Sequence, residues 1–176
     1  MKKLKARELR HTTPQEENYQ KVKRNPIYLV LDSVIDTYNI GSLFRLADAI
    51  AAKKIYLCGD CEYPPSSKIH KAAVGTEAWV PWEKVDVALE IVKKLKNKGV
   101  QIVAVEQTPG ACNYKLLATK IHFPCAIVVG HETYGVSKEV LDEADLTIEL
   151  PMYGINHSFN VWGSAAVVAY KILESL

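Results

Sequence analysis

Short apolar runs alternate along the chain with segments of helical periodicity. Strand-like runs bounded by polar residues or glycine lie at 26–34, 53–59, 100–107, 124–130 and 146–151. Helical spacing or helix start and stop signals mark the segments 39–52, 64–75, 82–99, 137–144 and 158–176. The short segment 78–82 is interpreted as a strand or an extended edge. Such alternation predicts an α/β fold with a mostly parallel sheet covered by helices on both faces.

Two of the helices carry further signals. The segment 82–99 has apolar residues at i, i+3 and i+4 spacing, lysines in its last turn and Gly99 as a stop: Val85, Ala88, Leu89, Val92 and Leu95 form its apolar face. In the segment 39–52, Asn39 precedes the periodic apolar residues and is expected to cap the helix.

Length and charge divide the chain into an arm and one domain. A chain of 176 residues is of single-domain size, and we expect a basic arm over 1–25 followed by one domain over 26–176. The arm holds eight Lys or Arg against three Glu, whereas the remainder is mildly acidic. The arm therefore suits a polyanion such as RNA, or serves only as a solvated tail. Without a membrane-length apolar stretch or a signal-peptide pattern, a cytoplasmic protein is expected.

The four cysteines do not form a metal-binding pattern. Cys58 and Cys61 make one C-x-x-C pair, which supplies only half of a tetrahedral zinc site, and Cys112 and Cys125 are too far apart to make a second. We expect no metal. Cys58 and Cys125 lie in apolar strand-like runs and are expected to be buried thiols.

A ligand site is expected where the parallel strands end. Ligands of such sheets bind beyond the carboxyl ends of the strands. The loops predicted there are rich in Gly, Asn, His and Tyr, and they span 32–39, 106–111, 130–137 and 151–158.

The loop sequence GHETYGVS, Gly130 to Ser137, is one residue short of a phosphate-binding P-loop. Val136 stands where that motif needs lysine, and Glu132 would repel a phosphate. No G-x-G-x-x-G follows any predicted strand, so a dinucleotide site also lacks support. A glycine-bounded loop with a carboxylate instead suits a ligand that carries a positive centre or hydroxyl groups.

Three segments, taken in order, carry a family resemblance. They are Asn39-x-Gly41-x-x-x-Arg45, Gly130-x-Glu132-x-x-Gly135-Val136-Ser137, and the segment IELPMYGINHSFNVWGSAA over 148–166. Each is weak alone, but their order and spacing resemble the three motifs of the SpoU (TrmH-like) RNA methyltransferases of the SPOUT superfamily. The resemblance covers about residues 27–175.

The resemblance implies a fold, an activity and a cofactor. The implied fold is an α/β sheet whose C-terminal part forms a trefoil knot, an exception to the rule that chains avoid knots. The implied enzyme is a homodimer that transfers the methyl group of S-adenosylmethionine to a ribose 2′-hydroxyl of tRNA or rRNA. Motif positions assign the cofactor to three loops, through Val105, Gly130, Leu150, Met152, Ser158 and Phe159.

The catalytic assignments also follow from the resemblance. Arg45 is assigned to activate the ribose hydroxyl, while Asn39, Glu132 and Asn160 position the ribose, Arg45 and the cofactor. Free guanidinium loses its proton only above about pH 12. We therefore favour a role in which Arg45 grips the target phosphate and stabilises the developing alkoxide, and the proton leaves through the phosphate or water.

Each of these residues has an ordinary structural interpretation. Asn39 and Asn160 are acceptable helix caps, Arg45 an exposed arginine, and Glu132 a solvated loop carboxylate. His131 and Trp162 depart from the usual family residues, so the resemblance does not define the shape of the substrate pocket. Aromatic loop side chains either stack on an unpaired base or only pack locally: Tyr38, Tyr134, Tyr153 and His157.

Two alternative functions remain at this point. One is a non-catalytic RNA-binding domain that retains the fold, which would show no affinity for S-adenosylmethionine. The other is a small-molecule-binding domain of flavodoxin type, which would be monomeric and would leave the basic arm unexplained.

Overall fold

A computed structural model describes residues 3–12, 14 and 22–176. Its strands are β1 (Asn25–Asp32), β2 (Ala52–Cys58), β3 (Trp82–Val85), β4 (Gln101–Val105), β5 (Cys112–Asn113), β6 (Cys125–Gly130) and β7 (Leu146–Glu149). Its α-helices are α1 (Ala6–His11), α2 (Thr37–Ala49), α3 (Ser67–Ala73), α4 (Ala88–Lys96), α5 (Lys138–Glu143) and α6 (Val161–Leu173). Short 3-10 helices span Thr76–Ala78 and Tyr114–Thr119.

The strands form one seven-stranded sheet in the order β3-β2-β1-β6-β4-β7-β5. Every pair of neighbouring strands is parallel, so the expected mostly parallel sheet flanked by helices is confirmed. The last residue of β1, Asp32, is level with Gly130 at the end of β6. The chain segments that follow β1 and β6 therefore leave the sheet side by side.

Both faces of the sheet are covered, and this explains why its strands are continuous apolar runs. In β1, Ile27, Leu29 and Leu31 pack on the face that holds α2, α3 and α6, whereas Val30 packs on the face that holds α4 and α5. Alternate side chains of a strand point to opposite faces, so a strand buried on both sides needs apolar residues at every position.

The prediction of one helix over 82–99 was partly wrong. Residues Trp82–Val85 form the edge strand β3, and the helix begins only at Ala88. The apolar Val85 fits the helical spacing, but here it pairs with Cys58 of β2. The strand predicted at 78–82 was also misplaced. A 3-10 helix covers Thr76–Ala78, and the strand starts only at Trp82.

The predicted cap at Asn39 was also wrong. Helix α2 begins two residues earlier, and the carboxylate of Asp36 accepts a hydrogen bond from the backbone N–H of Tyr38. Asn39 lies inside the first turn with a buried side chain, which leaves its amide free for contacts with other loops. The ordinary structural interpretation of Asn160 as a helix cap is confirmed, because its side-chain oxygen caps α6 by accepting from the N–H of Trp162.

The predicted arm over 1–25 lies partly outside the described residues. In its described part, the backbone of α1 at Leu9 passes so close to Gly75 that a β-carbon at Gly75 would collide with it. At the other end, the Arg24 guanidinium donates hydrogen bonds to the carbonyls of Ala52 and Trp79. No helix of the described residues has the length and apolar character needed to cross a membrane.

The two thiols expected in strands are buried. Cys58 and Cys125 are inaccessible, and burial raises the pKa of each thiol to about 12. For Cys58, the nearby Cys61 and Asp32 raise the pKa further. Both are buried core side chains that stay protonated at neutral pH.

Helices α2 and α3 pack closely at Gly41, and this contact supports a stability prediction. A β-carbon at Gly41 would lie 2.8 Å from the backbone nitrogen of Ala73. Ala is favoured over Gly in a helix by about 1 kcal/mol, but overpacking against backbone typically costs about 1–3 kcal/mol. We expect Gly41→Ala to lower the free energy of unfolding in urea by up to about 2 kcal/mol. Gly154→Ala is the matched control, because its β-carbon meets no atom within 4 Å. An equal effect of both variants would contradict the packing argument.

Candidate active site

A cavity of about 610 Å³ opens at the carboxyl ends of β6, β4 and β7. This volume lies within the range of small-molecule sites. Its walls come from the loop after β4, the loop after β6 and the segment between β7 and α6. Loops far apart in sequence meet here because parallel strands present all their carboxyl ends at one edge of the sheet.

The loop after β6 is a tight hairpin. The backbone N–H of His131 donates to the carbonyl of Gly135 at 3.0 Å, and the N–H of Gly135 donates back to the carbonyl of His131 at 2.8 Å. At Gly130, any β-carbon would collide with the backbone of Gly135. Gly135 itself has φ +71°, a left-handed conformation that glycine adopts without strain. Both glycines of the motif are thus required by the backbone path.

Two carboxylates hold the end of this hairpin from opposite sides. Asp32, at the end of β1, accepts from the N–H of Ser137 at 2.8 Å. Glu106, just after β4, accepts from the N–H of Val136 at 2.9 Å. In a P-loop such amides face a phosphate, but here the protein's own carboxylates occupy them. The structure therefore explains why this glycine-bounded loop is not a phosphate site.

The three sequence motifs meet in one hydrogen-bonded network. The Glu132 carboxylate accepts from the side-chain amide of Asn39 at 2.8 Å and from the backbone N–H groups of Ile35 and Asp36 at 3.1 and 3.0 Å. Asn160 donates from its amide nitrogen to the side-chain oxygen of Asn39 at 3.1 Å. Asn39 is thus the link between Glu132 in the second motif and Asn160 in the third.

This network keeps Glu132 ionised. Burial alone would raise the pKa of Glu132, but the hydrogen bonds donated by Asn39 and by backbone N–H groups outweigh it, so the pKa is lowered. A carboxylate that accepts several hydrogen bonds is a fixed negative charge at the wall of the cavity. Its orientation is also fixed, because both oxygens are bonded.

Most of the residues assigned to the cofactor line this cavity. Val105, Gly130, Leu150, Ser158 and Phe159 are in its walls, as are Glu132 and Asn160. Met152 instead lines an adjoining space of about 290 Å³. Gln107 and His157 each line both spaces. The Gln107 side chain donates a hydrogen bond to the carbonyl of His157 at 2.9 Å.

Arg45 does not belong to the cavity wall of its own chain. It is exposed on α2, in a surface stripe with Tyr38, Ser42 and Ala49 at helical spacing. Six residues separate Arg45 from Asn39, which is about 9 Å along a helix axis. The first sequence motif therefore contains one residue of the hydrogen-bonded network, Asn39, and one residue outside the cavity wall, Arg45.

The charge of the cavity lining is negative. Three carboxylates line it, from Glu106, Glu132 and Glu149, and among the described residues no Lys or Arg does. Val129, Ile148 and Val161 add apolar surface. Such a lining favours a ligand that combines an apolar or aromatic part with a positive charge. No group of three His, Cys, Asp or Glu side chains in the described part of the chain is arranged to hold a metal ion.

Sequence reasoning missed the supporting residues Asp32, Glu106, Gln107 and Glu149. The available signal was their position, because each is polar and stands at or just after the carboxyl end of a strand. Asp32 and Glu106 follow the two strands that flank β6. Acidic residues at those two places were candidates to hold the loop after β6.

A fully parallel sheet with an anionic cavity at its carboxyl edge defines an α/β protein that binds a small ligand. The model of the SpoU rRNA Methylase family matches residues 26–170. This chain therefore belongs to the SpoU family of the SPOUT superfamily, as its motifs indicated.

Individual relatives are similar over most of this chain. The tRNA (guanosine(18)-2′-O)-methyltransferase of Aquifex aeolicus is 31% identical over 151 residues, which are 85% of this chain and 69% of that protein. The 23S rRNA (guanosine-2′-O-)-methyltransferase RlmB of Photobacterium profundum is 32% identical over 150 residues, 85% of this chain but only 60% of that protein.

A solved structure matches almost the whole chain. The crystal structure of the AdoMet bound rRNA methyltransferase from Sinorhizobium meliloti superposes with a TM-score of 0.77 at 26% identity, and it covers 96% of this chain and 60% of that one. This chain thus spans about three fifths of the length of several relatives that it matches.

The Glu132 network leads to a pH-dependent prediction. Because the pKa of Glu132 is lowered in the folded state, its contribution to stability is complete above its ordinary value of about 4.5 and is lost as the pH falls below it. We expect Glu132→Gln to lower the free energy of unfolding by about 1 kcal/mol at pH 7, a modest value for a partly exposed group. The difference from wild type should shrink when urea unfolding is repeated below pH 4.5.

The matched control is Glu139→Gln, since the Glu139 carboxylate accepts no hydrogen bond from the described residues. That variant should differ from wild type by less than about 0.5 kcal/mol at either pH. If Glu132→Gln lowered the free energy of unfolding equally at both pH values, ionisation of this carboxylate would not stabilise the network.

Proposed function

We propose that this protein transfers the methyl group of S-adenosylmethionine to a ribose 2′-hydroxyl of tRNA or rRNA. The observation that carries the proposal is the hydrogen-bonded network in which Asn39 of the first family motif bonds to Glu132 and Asn160, residues of the other two motifs that line one anionic cavity. The relatives named above are RNA 2′-O-methyltransferases, and this supports the reaction class. A cytoplasmic location is part of the proposal.

The cavity lining fits the cofactor. Val105, Leu150 and Phe159 offer apolar surface for the adenine, and Gly130 and Ser158 offer backbone groups close to it. The carboxylates of Glu106 and Glu132 favour a positively charged group. When bound, S-adenosylmethionine supplies a methyl group that its sulfonium already makes electrophilic. The protein therefore needs to orient the hydroxyl and stabilise its charge, rather than generate an electrophile.

Glu132, Asn39 and Asn160 act as positioning residues in this proposal. Their mutual hydrogen bonds fix the wall beside which the ribose would lie. Arg45 is the residue that we assign to the ribose hydroxyl. Guanidinium groups keep their proton at neutral pH, so Arg45 binds the phosphate and stabilises the developing alkoxide, while the hydroxyl proton passes to a phosphate oxygen or to water.

A homodimer is the second part of the proposal, because Arg45 is exposed outside the cavity of its own chain. Helix α6 supports it: one face packs on the sheet, and the opposite face exposes large apolar residues, Trp162, Val167 and Tyr170. Helices α2 and α6 are in contact, so Arg45 and this exposed apolar face lie on neighbouring helices. We propose that a second subunit covers it and that Arg45 of one subunit completes the site of the other.

A trefoil knot in the C-terminal third is also proposed. The strand order supports it, since the chain leaves β6, crosses β4 to form β7, and then returns through α6 to contact β6 and β4. The segment between β7 and α6 passes beside the loop after β4, to which Gln107 bonds it. Such a return path encloses the cavity between loops of one chain.

The reaction itself is tested by methyl transfer from labelled S-adenosylmethionine to total tRNA and total rRNA, with the modified nucleoside mapped. We expect label on a ribose 2′-oxygen of one RNA class. Arg45→Ala should bind the cofactor with wild-type affinity by calorimetry and lose most of the transfer. Absence of cofactor binding by the wild-type protein would support a non-catalytic RNA-binding domain, and full turnover by Arg45→Ala would remove that residue from the mechanism.

The subunit arrangement is tested by combining two variants. We expect homodimers of Arg45→Ala and of Glu132→Ala each to be nearly inactive. If Arg45 acts on the partner's site, co-expressed subunits form mixed dimers with one intact site each, and activity returns to about one quarter of the wild-type value. If Arg45 acts within its own chain, no mixed dimer has an intact site and activity stays low. Sedimentation of the wild-type protein as a dimer is the accompanying control.

A further inference from the structure

The hairpin after β6 exposes an aromatic pair that the functions above do not use. The rings of His131 and Tyr134 lie 4.7 Å apart between centroids, with their planes at 43°. The Tyr134 side chain is 83% exposed, so it contributes little to the core. A large exposed ring at a fixed place beside a cavity is a binding feature rather than a folding feature.

The pair is rigid. Nδ1 of His131 accepts hydrogen bonds from the backbone N–H groups of Thr133 and Tyr134, at 2.9 and 3.4 Å. Both partners are donors, so Nδ1 is the acceptor of these bonds and they fix the orientation of the ring. The hairpin below it is closed by two backbone hydrogen bonds and held by Asp32 and Glu106. The His131 ring and the hairpin that carries Tyr134 are thus held in place before any ligand binds, which lowers the entropic cost of binding.

The pair also stands at the edge of the cavity. His131, Glu132 and Thr133 all line it, and Tyr134 contacts the ring of His131. The charges of the lining restrict which part of a nucleotide can approach. Its carboxylates repel a phosphate group, whereas the uncharged face of a base is tolerated.

We propose that His131 and Tyr134 form a stacking surface for an unpaired base of the RNA substrate. This inference rests on the proposed function and adds to it the way in which the RNA is held. A ribose can enter a cavity of this kind only if its nucleotide is unpaired or turned out of a helix, and such bases bind to aromatic side chains by stacking. Since every base has a π face, the surface selects for single-stranded structure more than for sequence.

Binding of a short oligouridine that carries one 5-iodouridine tests the proposal by fluorescence anisotropy. Stacking of one base on an aromatic ring is lost in Tyr134→Ala, so we expect the affinity to fall about tenfold. Tyr134→Phe keeps the ring and should bind like wild type. Tyr63→Ala is the matched control, because Tyr63 is another exposed tyrosine, whose ring lies near Trp82 at the β3 edge. It should leave the affinity unchanged.

Ultraviolet cross-linking of the same probe gives the position of the base. We expect the iodouridine to cross-link to His131 or Tyr134, as identified by mass spectrometry, and the Tyr134→Ala protein to lose most of that product. Wild-type affinity in Tyr134→Ala, or cross-links confined to other parts of the chain, would overturn the proposal. So would dissociation of a dimer by Tyr134→Ala, because the ring would then face a second subunit.

These measurements separate the stacking surface from the enzymatic activity. Affinity and cross-linking need no turnover, whereas the proposed function fails through absent cofactor binding or absent methyl transfer. If the function holds and the stacking surface is real, Tyr134→Ala raises KM for RNA about tenfold and leaves the affinity for S-adenosylmethionine unchanged. A purely structural role of Tyr134 would instead lower the thermal unfolding temperature and affect both ligands.

Discussion

The site depends on a single carboxylate that joins two loops. Glu132 accepts from Asn39 and from the backbone N–H groups that open α2, so the segment after β1 and the segment after β6 are held in one position. Asn160 extends this network to α6 while it also caps that helix. Hydrogen bonds to one carboxylate thus hold these loops together beside the cavity, where a packed apolar core would leave no room for a ligand.

Carboxylates also hold the end of the hairpin after β6. Asp32 and Glu106 accept from consecutive backbone amides, those of Ser137 and Val136. A loop built to bind phosphate leaves such amides exposed to its ligand, but this loop satisfies them internally. The consequence is a loop whose consecutive amides are already bonded, beside a cavity whose lining is negatively charged. An electropositive cofactor and a neutral hydroxyl are compatible with that field, and a nucleotide polyphosphate is not.

The parallel sheet and the convergence of the motif loops could be predicted because they follow from apolar runs and residue order. The elements that were wrong or missed are those with weak local signals. Val85 satisfies both a helical pattern and an edge strand, and only pairing with β2 decides between them. Asn39 satisfies the cap rule, yet Asp36 caps the helix. The supporting carboxylates, Asp32 and Glu106, bond to amides about 105 and 30 residues away, and no local pattern encodes such pairs.

Two features of the surface are relevant to the site: the exposed Arg45 on α2 and the exposed apolar face of α6. An anionic cavity needs a cation from elsewhere to bind a phosphodiester beside it, and the candidate arginine lies on an exposed helical stripe. Helix α6 is apolar on its covered face and on much of its exposed face, so it has more apolar surface than one sheet can bury. The proposed homodimer accounts for both observations, because in it a second copy covers α6 and brings a positive charge. The exposed His131 and Tyr134 pair lies at the cavity edge of its own chain, where the proposed ligand is an uncharged base rather than a phosphate.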